Sequence, residues 1–380
     1  MISVFSLSTS STFTFEMLWS SLINLAALTV AEAHLNVHNS PLEVRDATLQ
    51  VTLEPVLSDR VAEVSATIKN SGSSDLNLLK VGTILDDKLP VQRVLIADDL
   101  GNHVPFRGIE PSIRYDALKP SHFQLLPAGE SLNITIDPAK VHLFEKSGTY
   151  SVTAQGLIPA ALAPLTDFSH PAIAFKSNTV SIEVDADAAA SRLVTAALVE
   201  RTNLQPGCNE TTLDASTKSL SNCQALALAA AADAADPASK RFVEYFRTNS
   251  SEARDVVVAR FRSVAEECGT TDTGVSRYFC YDYYGICEIE GPLNAYTLWQ
   301  FNTVVMCPLF YGLPPLPVGC HRQCQATTTI HEITHCEGVY APHTNDYAYA
   351  YDASVALPLE RALLNADNYS LYANAVYMKC

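Results

Sequence analysis

The sequence contains one motif whose residue types and spacing favour metal chemistry, His331-Glu332-Ile333-Thr334-His335. On a helix, residues i and i+4 lie one above the other, so the two imidazoles can bind one Zn²⁺ at about 2.0–2.1 Å. The intervening glutamate is rotated by about 100° and can reach a water on that metal. The pKa of such a water falls towards about 7, and the carboxylate can take its proton as the water attacks a carbonyl. The alternative is a surface helix with two solvated histidines.

A catalytic zinc site requires a third protein ligand and one open position. A third histidine in the pattern H-E-x-x-H-x-x-G-x-x-H fails, because Gly338 fits that pattern but Ala341 occupies the ligand position. Two other candidates remain. Glu360 follows His335 by 25 residues, and Asp346 follows it by eleven.

The flanking residues predict where the motif helix begins and ends. The Thr-rich stretch 326–330 offers an N-cap and a first turn, and Gly338 suits the C′ position. The C-terminal half as a whole predicts helices, with an Ala- and Leu-rich run at 220–235. Aromatic and β-branched residues at 278–281 and 296–305 predict a small hairpin or sheet beside them.

Residues 34–200 predict β-strands instead. Apolar and polar residues alternate at 49–53, 62–68 and 132–136, and turn signals such as Asn70-Ser71-Gly72-Ser73-Ser74 separate them. Short strands at this spacing indicate an antiparallel sandwich or barrel. The six histidines of this half are scattered, so surface or core packing explains them better than catalysis.

The composition is that of a globular protein with a large core. Of the 380 residues, 48% are hydrophobic and 17% are charged, which excludes wholesale disorder. The length favours two folded units. The net charge of −16 argues against nucleic acid or an anionic membrane as a partner.

All ten cysteines lie between Cys208 and Cys380, and the first 207 residues have none. This asymmetry predicts two units of different chemistry joined near residue 200. An even number of cysteines suits a disulfide framework if the chain is exported.

The N-terminus predicts export. Residues 18–30 form an apolar run too short for a membrane span, and Ala31-Glu32-Ala33 follows as an A-x-A cleavage signal. We therefore expect a signal peptide at 1–33, with Met17 as an alternative start, and an extracellular protein. Four N-x-S/T sequons agree with this route: Asn133, Asn209, Asn249 and Asn368.

The eight residues H-T-N-D-Y-A-Y-A that begin at His343 extend the motif. H-E-x-x-H followed closely by G-T-x-D-x-x-Y-G is the signature of the aspzincins, the deuterolysin family of fungal neutral metalloproteases, and the sequence resembles it. Thr344, Asp346 and Tyr349 match the signature, whereas His343 and Ala350 replace its two glycines. Those glycines serve backbone conformations that other residues adopt at a cost.

The resemblance also covers 307–311, 325–335 and 338–340, and it extends to 34–201 by layout only. It implies a zincin-like, mainly α-helical catalytic unit at 202–380 with a small hairpin or sheet. A β-rich, sandwich-like propeptide at 34–201 would precede it, with cleavage after Arg201. The alternative is that this part is a permanent β-domain.

The resemblance assigns roles to individual residues. His331, His335 and Asp346 would bind one Zn²⁺ per chain, and Glu332 would be the general base. We expect Tyr349, three residues after Asp346, to share a helical face with it and to support the oxyanion. Asp367 corresponds to a family acid that attracts a basic substrate side chain. Apart from the resemblance, His343 is an alternative metal ligand, either in addition to these residues or in place of one of them.

The resemblance also implies three disulfides, Cys208–Cys280, Cys287–Cys307 and Cys320–Cys380. Four cysteines are then extra. Cys223–Cys268 would join two helices. A Cys324–Cys336 bond is harder to form, because a continuous helix would hold the two about 18 Å apart. Cys336 as a metal ligand is a further alternative.

Together these features predict a secreted zinc endopeptidase, made as a preproenzyme and acting as a monomer on protein or peptide substrates. From residue 202 onwards there are 11 Lys and Arg against 19 Asp and Glu, which favours basic substrates. The propeptide would act as an intramolecular inhibitor or chaperone. The rival hypotheses are a gluzincin-like protease with Glu360 as third ligand, and a secreted binding protein with a degenerate zinc site.

Overall fold

The structure is a computed structural model that describes residues 48–56, 63–163, 166, 172–193, 204–289 and 291–380. The described residues belong to one compact unit that spans Glu43–Cys380. The predicted signal peptide, Met17 and the cleavage point after Arg201 lie outside the described residues. The domain boundaries at residues 33 and 201 therefore stay predictions.

The N-terminal half is built from strands, as its alternating sequence predicts. Its strands are β1 (Leu49–Pro55), β2 (Val64–Asn70), β3 (Leu76–Leu79), β4 (Leu95–Ala97), β5 (Glu110–Ile113), β6 (Phe123–Leu126), β7 (Ser131–Ile136), β8 (Gly148–Ile158), β9 (Ala160–Leu162) and β10 (Ile173–Val184). In β2, the buried Val64, Ala66 and Ile68 alternate with more exposed residues, which is the period of a strand with one face on the core.

Three antiparallel sheets form in this half, in the strand orders β1-β2-β7, β10-β8-β4 and β6-β3-β9. One apolar core connects β1, β2, β8 and β10 through residues such as Leu53, Ile68, Val152 and Ile182. The strand-rich character of the N-terminal half is confirmed, and its description as a sandwich stays a prediction.

Helices dominate the C-terminal half, as expected. A short helix, α1 (Ala186–Ala190), follows β10 in the N-terminal half. The helices of the C-terminal half are α2 (Glu210–Ala235), α3 (Lys240–Phe246), α4 (Ser251–Cys268), α5 (Gln325–Thr334), α6 (Tyr351–Val355), α7 (Leu359–Ala362) and α8 (Ala366–Met378). The longest, α2, begins where the Asn209 side chain accepts a hydrogen bond from the Thr212 N–H. It buries Leu220, Cys223 and Ala227 against the core that α4, α5 and α8 share.

The small predicted sheet is present, but it includes a strand from the N-terminal half. Its order is β11 (Arg277–Phe279), β13 (Thr303–Met306), β12 (Leu293–Leu298) and β5. The first pair is parallel, and the other two pairs are antiparallel. β5 is the outermost strand of this sheet next to β12. It pairs with an edge of β12 that would otherwise have no strand partner in the sheet.

Helix α5 carries the H-E-x-x-H motif and is buried along its whole length. It begins earlier than predicted, because the Cys324 sulfur accepts from the Thr327 N–H and acts as the N-cap. It also ends earlier than predicted. His335 is the C-cap, and Gly338 lies in the following turn, where its N–H donates to the Asn302 side chain at 2.8 Å.

Four disulfides join the C-terminal half: Cys208–Cys280, Cys223–Cys268, Cys287–Cys307 and Cys320–Cys380. The first, third and fourth are the pairs that the resemblance implies. Cys324 and Cys336 are buried free thiols at the two ends of α5. The last bond attaches the C-terminal residue to the segment that leads into α5.

The sequons differ in accessibility. Asn133, Asn209 and Asn249 are exposed. Asn368 is fully buried in α8, and its amide donates to the backbone carbonyls of Tyr245 and Ser354. Asn368 is therefore not accessible to a glycan in the folded protein, contrary to the expectation from its sequon. No helix within the described residues has the length and apolar character needed to cross a membrane.

Candidate metal centre

Three side chains converge at the buried face of α5. The Nε2 atoms of His331 and His335 lie 3.2 and 3.5 Å from the Asp346 Oδ1 atom. One ligand atom from each residue lies within 4.8 Å of the other two, and each side chain is at most 3% exposed. Within the described residues, this is the one cluster of at least three His, Cys, Asp or Glu residues with metal-binding geometry.

The chemistry of these atoms fits a divalent metal. Both Nε2 atoms and both Asp346 carboxylate oxygens are buried without a hydrogen-bond partner. Buried polar atoms are otherwise almost always satisfied, so the convergence of one such atom from each of the three residues favours a bound cation. Two imidazoles and one carboxylate are a donor set that zinc accepts with one position open.

Outer contacts orient both imidazoles. The Nδ1 atom of His331 lies 2.9 Å from Asp367 Oδ1, and the Nδ1 atom of His335 lies 2.8 Å from the Thr344 carbonyl oxygen. Since a carboxylate and a carbonyl only accept hydrogen bonds, each Nδ1 carries the proton and each Nε2 is left free to bind metal. Such partners are typical of metal-binding histidines.

The imidazoles of the cluster and the neighbouring carboxylates stabilise each other's charged forms. Burial alone would lower the pKa of His331, but Asp346 and Asp367 raise it well above its usual value. Burial likewise opposes the charge on Asp346, yet the two imidazoles lower its pKa below the usual value. The acid therefore stays ionised in this site.

Asp346 and Tyr349 do not share a helical face, contrary to the prediction. The segment between Thr344 and α6 is irregular, and it is held by Asn345 N–H to the Leu364 carbonyl and by Ala348 N–H to the Asn365 side chain. It ends at Ala350, whose φ of 62° and ψ of 169° explain why the family signature has glycine there.

Glu332 lies on the same helix with one oxygen fixed and one oxygen free. Its Oε2 atom accepts a hydrogen bond of 2.7 Å from the Thr297 hydroxyl on β12, and its Oε1 atom is buried without a partner. Burial raises the pKa of Glu332 above its usual value. A carboxylate with a raised pKa and a free oxygen can accept a proton from water and return it.

Tyr349 already donates a hydrogen bond to a peptide carbonyl. Its hydroxyl lies 2.9 Å from the Pro111 carbonyl oxygen in β5, and its side chain is buried. Burial, followed by the charge of Asp346, raises the pKa of Tyr349 well above its usual value, so the hydroxyl keeps its proton. Gly82 packs against this hydroxyl so closely that a Cβ there would lie 3.3 Å from it.

The three alternative metal ligands considered from the sequence lie outside the cluster of His331, His335 and Asp346. Glu360 is exposed in α7 and is not part of the cluster. His343 stacks on Trp299 with ring centroids 3.9 Å apart, and Cys336 donates to the Glu332 carbonyl. Neither belongs to the cluster of ligand atoms.

Asp367 is hydrogen-bonded to His331 of the cluster rather than standing free in a pocket. Besides His331, its carboxylate accepts from the Ala350 N–H at 2.7 Å and from the Tyr115 hydroxyl. It also borders a small cavity beside Ser112 and Tyr115. Its predicted contact with a substrate side chain stays a prediction.

Sequence reasoning missed three residues at this site. Thr297 orients Glu332, Gln323 binds the backbone of the N-terminal half, and the Glu110 carboxylate accepts from the Asp346 N–H. Burial, followed by the charge of Asp346, raises the pKa of Glu110 to about 8. No local pattern marks them, because each acts across at least 35 residues of sequence.

Comparison with known proteins agrees with the site. The Deuterolysin metalloprotease (M35) family matches residues 18–380. The chain belongs to this family. It is 41% identical over 356 residues to a neutral protease 2 homolog of Botryotinia fuckeliana. That alignment covers 93% of this chain and 98% of the relative. It is 43% identical over 335 residues to a neutral protease 2 homolog of Sclerotinia sclerotiorum, covering 87% and 91%.

A neutral protease 2 homolog of Aspergillus oryzae is 38% identical over 344 residues, covering 90% of this chain and 94% of the relative. Family membership and these relatives establish the deuterolysin-type protein as a metalloendopeptidase that acts on peptide or protein substrates. The His331, His335 and Asp346 cluster is the place in the described residues that could hold its metal.

Proposed function

We propose that the protein is a secreted zinc-dependent endopeptidase made as a preproenzyme, with a signal peptide at 1–33, a propeptide at 34–201 and a catalytic part at 202–380. One Zn²⁺ per chain would be held by His331, His335 and Asp346. The observation that carries the proposal is the convergence of buried ligand atoms that have no other hydrogen-bond partner.

The residues around this centre can perform peptide hydrolysis. Zinc held by these residues would act as a Lewis acid that lowers the pKa of water and polarises a carbonyl. Glu332 accepts the proton of the attacking water at its free Oε1 atom and later passes it to the leaving amine. The Tyr349 hydroxyl, which keeps its proton, donates a hydrogen bond to the oxygen that becomes negative.

The acidic charge of the catalytic part supports a preference for basic substrates. Residues 202–380 contain 19 acidic and 11 basic residues, and Asp367 borders a cavity at the site. Tyr115 of the N-terminal half covers this acid with its hydroxyl. We propose that a basic substrate side chain replaces the Tyr115 hydroxyl at Asp367 once the chain has been processed. The processed enzyme would be extracellular and monomeric. The propeptide would serve as inhibitor or chaperone until then.

The experiment starts with the full chain secreted from a fungal host. N-terminal sequencing of the product tests the cleavage points, and hydrolysis of a histone tests the activity. We expect a chelator to abolish hydrolysis and zinc to restore it. A Glu332→Gln variant should keep its zinc and lose its activity, which separates catalysis from folding.

Two variants test the third ligand. Asp346→Ala should lose zinc, whereas Glu360→Ala should retain it. Loss of zinc from the Glu360 variant alone would overturn the ligand set. A processed, zinc-loaded protein that cleaves no substrate would favour the degenerate binding protein instead.

A further inference from the structure

The edge of β12 beside the metal centre is covered by a strand from the other half of the chain. β5 pairs with β12 in antiparallel register, and it is the only strand of this sheet, within the described residues, that precedes residue 204. Removal of the N-terminal half therefore opens an unpaired strand edge next to Glu332. Open strand edges bind extended peptides by backbone hydrogen bonding.

The register places a peptide bond of β5 at the reacting groups. Glu110 faces Thr297, the residue whose hydroxyl binds Glu332, and Pro111 faces Tyr296. The Pro111 carbonyl accepts the Tyr349 hydrogen bond of 2.9 Å. The carbonyl of residue 111 thus occupies the position in which Tyr349 would bind a developing oxyanion.

The other side of the segment formed by residues 110–115 is bound by one amide side chain, that of Gln323. The Nε2 atom of Gln323 donates to the Ile113 carbonyl at 2.8 Å, and its Oε1 atom accepts from the Tyr115 N–H at 3.2 Å. These are backbone groups two residues apart, so Gln323 pairs with the segment as a neighbouring strand would. Arg114 adds a bond from Nη1 to the Leu309 carbonyl at 3.1 Å.

Side chains of the segment fill the space around the site. The Glu110 carboxylate accepts from the Asp346 N–H, and the Tyr115 hydroxyl binds Asp367. Ile113 is fully buried in an apolar cluster that contains residues of both halves, including Val81, Tyr296 and Tyr349. The segment is thus bound through its backbone and through side chains on both faces.

We propose that residues 110–115 occupy the peptide-binding groove as an internal substrate mimic, with Pro111 where a substrate presents its scissile carbonyl. The same groups, the β12 edge, Tyr349 and Gln323, then bind the backbone of peptide substrates. Gln323 is the residue that contacts the substrate two and four positions beyond this carbonyl. The inference rests on the proposed processing of the chain between its halves.

The first test uses the enzyme processed from the folded full chain and freed of its N-terminal half. A synthetic peptide of residues 108–117 should inhibit hydrolysis competitively, or be cleaved slowly after Pro111, whereas a scrambled peptide should not bind. Gln323→Ala should raise the inhibition constant of this peptide and the KM of long substrates by the same factor, about fivefold to tenfold. A peptide that ends at Ser112 cannot reach Gln323, and its inhibition constant should not change.

The second test uses the full chain and a small peptide reporter. Arg114→Ala and Tyr115→Phe each remove a contact that holds the segment and leave the sequence of residues 202–380 unchanged, so each should raise the reporter rate about threefold or more. Leu125→Ala, an exposed position of β6, is the control and should leave the rate unchanged.

The outcomes separate the two proposals. Absence of chelator-sensitive hydrolysis in the processed enzyme contradicts the proposed function. An active processed enzyme that ignores the 108–117 peptide, or a Gln323→Ala effect equal for long and truncated peptides, overturns the groove assignment alone.

Discussion

The His331 Nδ1 atom lies 2.9 Å from the Asp367 Oδ1 atom, across 36 residues of sequence. The link connects α5 to the first turn of α8, and both side chains are buried. Asp367 therefore fixes the ring orientation in which the His331 Nε2 atom faces the Asp346 carboxylate. Asp367 contacts this group through His331 and is not itself part of the His331, His335 and Asp346 cluster.

Replacing Asp367 by Asn should weaken zinc binding about 10–100-fold, because the charged acceptor that orients His331 is lost. Competition with a chromogenic chelator measures this affinity directly. Asp352→Asn, the same acid-to-amide change at an exposed position in the first turn of α6, is the matched control and should leave the zinc affinity unchanged. Equal zinc affinity in wild type and Asp367→Asn would contradict the orienting role.

Replacing Thr297 by Val should lower kcat about tenfold or more, since it removes a 2.7 Å hydrogen bond to the Glu332 carboxylate. Zinc content should not change. Steady-state kinetics with metal analysis separates the two effects. Thr303→Val on the adjacent β13 is the control, because its hydroxyl donates only to the Phe301 carbonyl. A kcat equal to that of this control would show that Thr297 does not orient the base.

Replacing Ala350 by Gly should stabilise the protein by about 1–2 kcal/mol, because the present φ of 62° and ψ of 169° suit glycine almost exclusively. Thermal unfolding of the two proteins measures the difference. Ala356→Gly, at an ordinary φ of −83°, should instead destabilise by up to about 1 kcal/mol. A lower melting temperature for Ala350→Gly would refute this account of the family glycine.

His142 should make the N-terminal half sensitive to acid. Burial lowers its pKa from 6.5 to about 4, so the unfolded state binds a proton first. Its contribution is complete above pH 6.5 and falls as the pH drops towards 4, by about 3 kcal/mol in total. The unfolding free energy of His142→Gln should therefore depend less on pH in this window, whereas His103→Gln, at an exposed position, should match wild type. Parallel curves for all three proteins would exclude His142 as the source.

Local sequence patterns predicted the elements that depend on local physics. The alternation at 62–68 and the Ala-rich run at 220–235 correspond to β2 and α2, because burial period and intrinsic propensity act over a few residues. The ends of α5 were less predictable. Cys324 caps the helix with its sulfur, a role that sequence rules assign to Ser, Thr, Asp or Asn.

Tertiary contacts account for what the sequence did not predict. Tyr349 was expected on a helix from its spacing, but hydrogen bonds to Leu364 and Asn365 hold its segment in an irregular path. The pairing of β5 with β12 joins residues at least 180 positions apart, and Pro111 within the run argues against a strand. Family resemblance pointed to His331, His335 and Asp346, which the fold brings together, whereas the contacts of Thr297 and Gln323 arise only from the tertiary structure.

If the chain is cleaved between its halves as proposed, the shared sheet has a consequence for the lifetime of the enzyme. Without the strand Glu110–Ile113, the remaining chain would lack one strand of the sheet in which it folded. We expect such a molecule to refold poorly after it unfolds, so its survival outside the cell depends on how slowly it unfolds rather than on an equilibrium. The four disulfides among residues 208–380 would then slow the unfolding of a native state that the shortened chain does not readily regain.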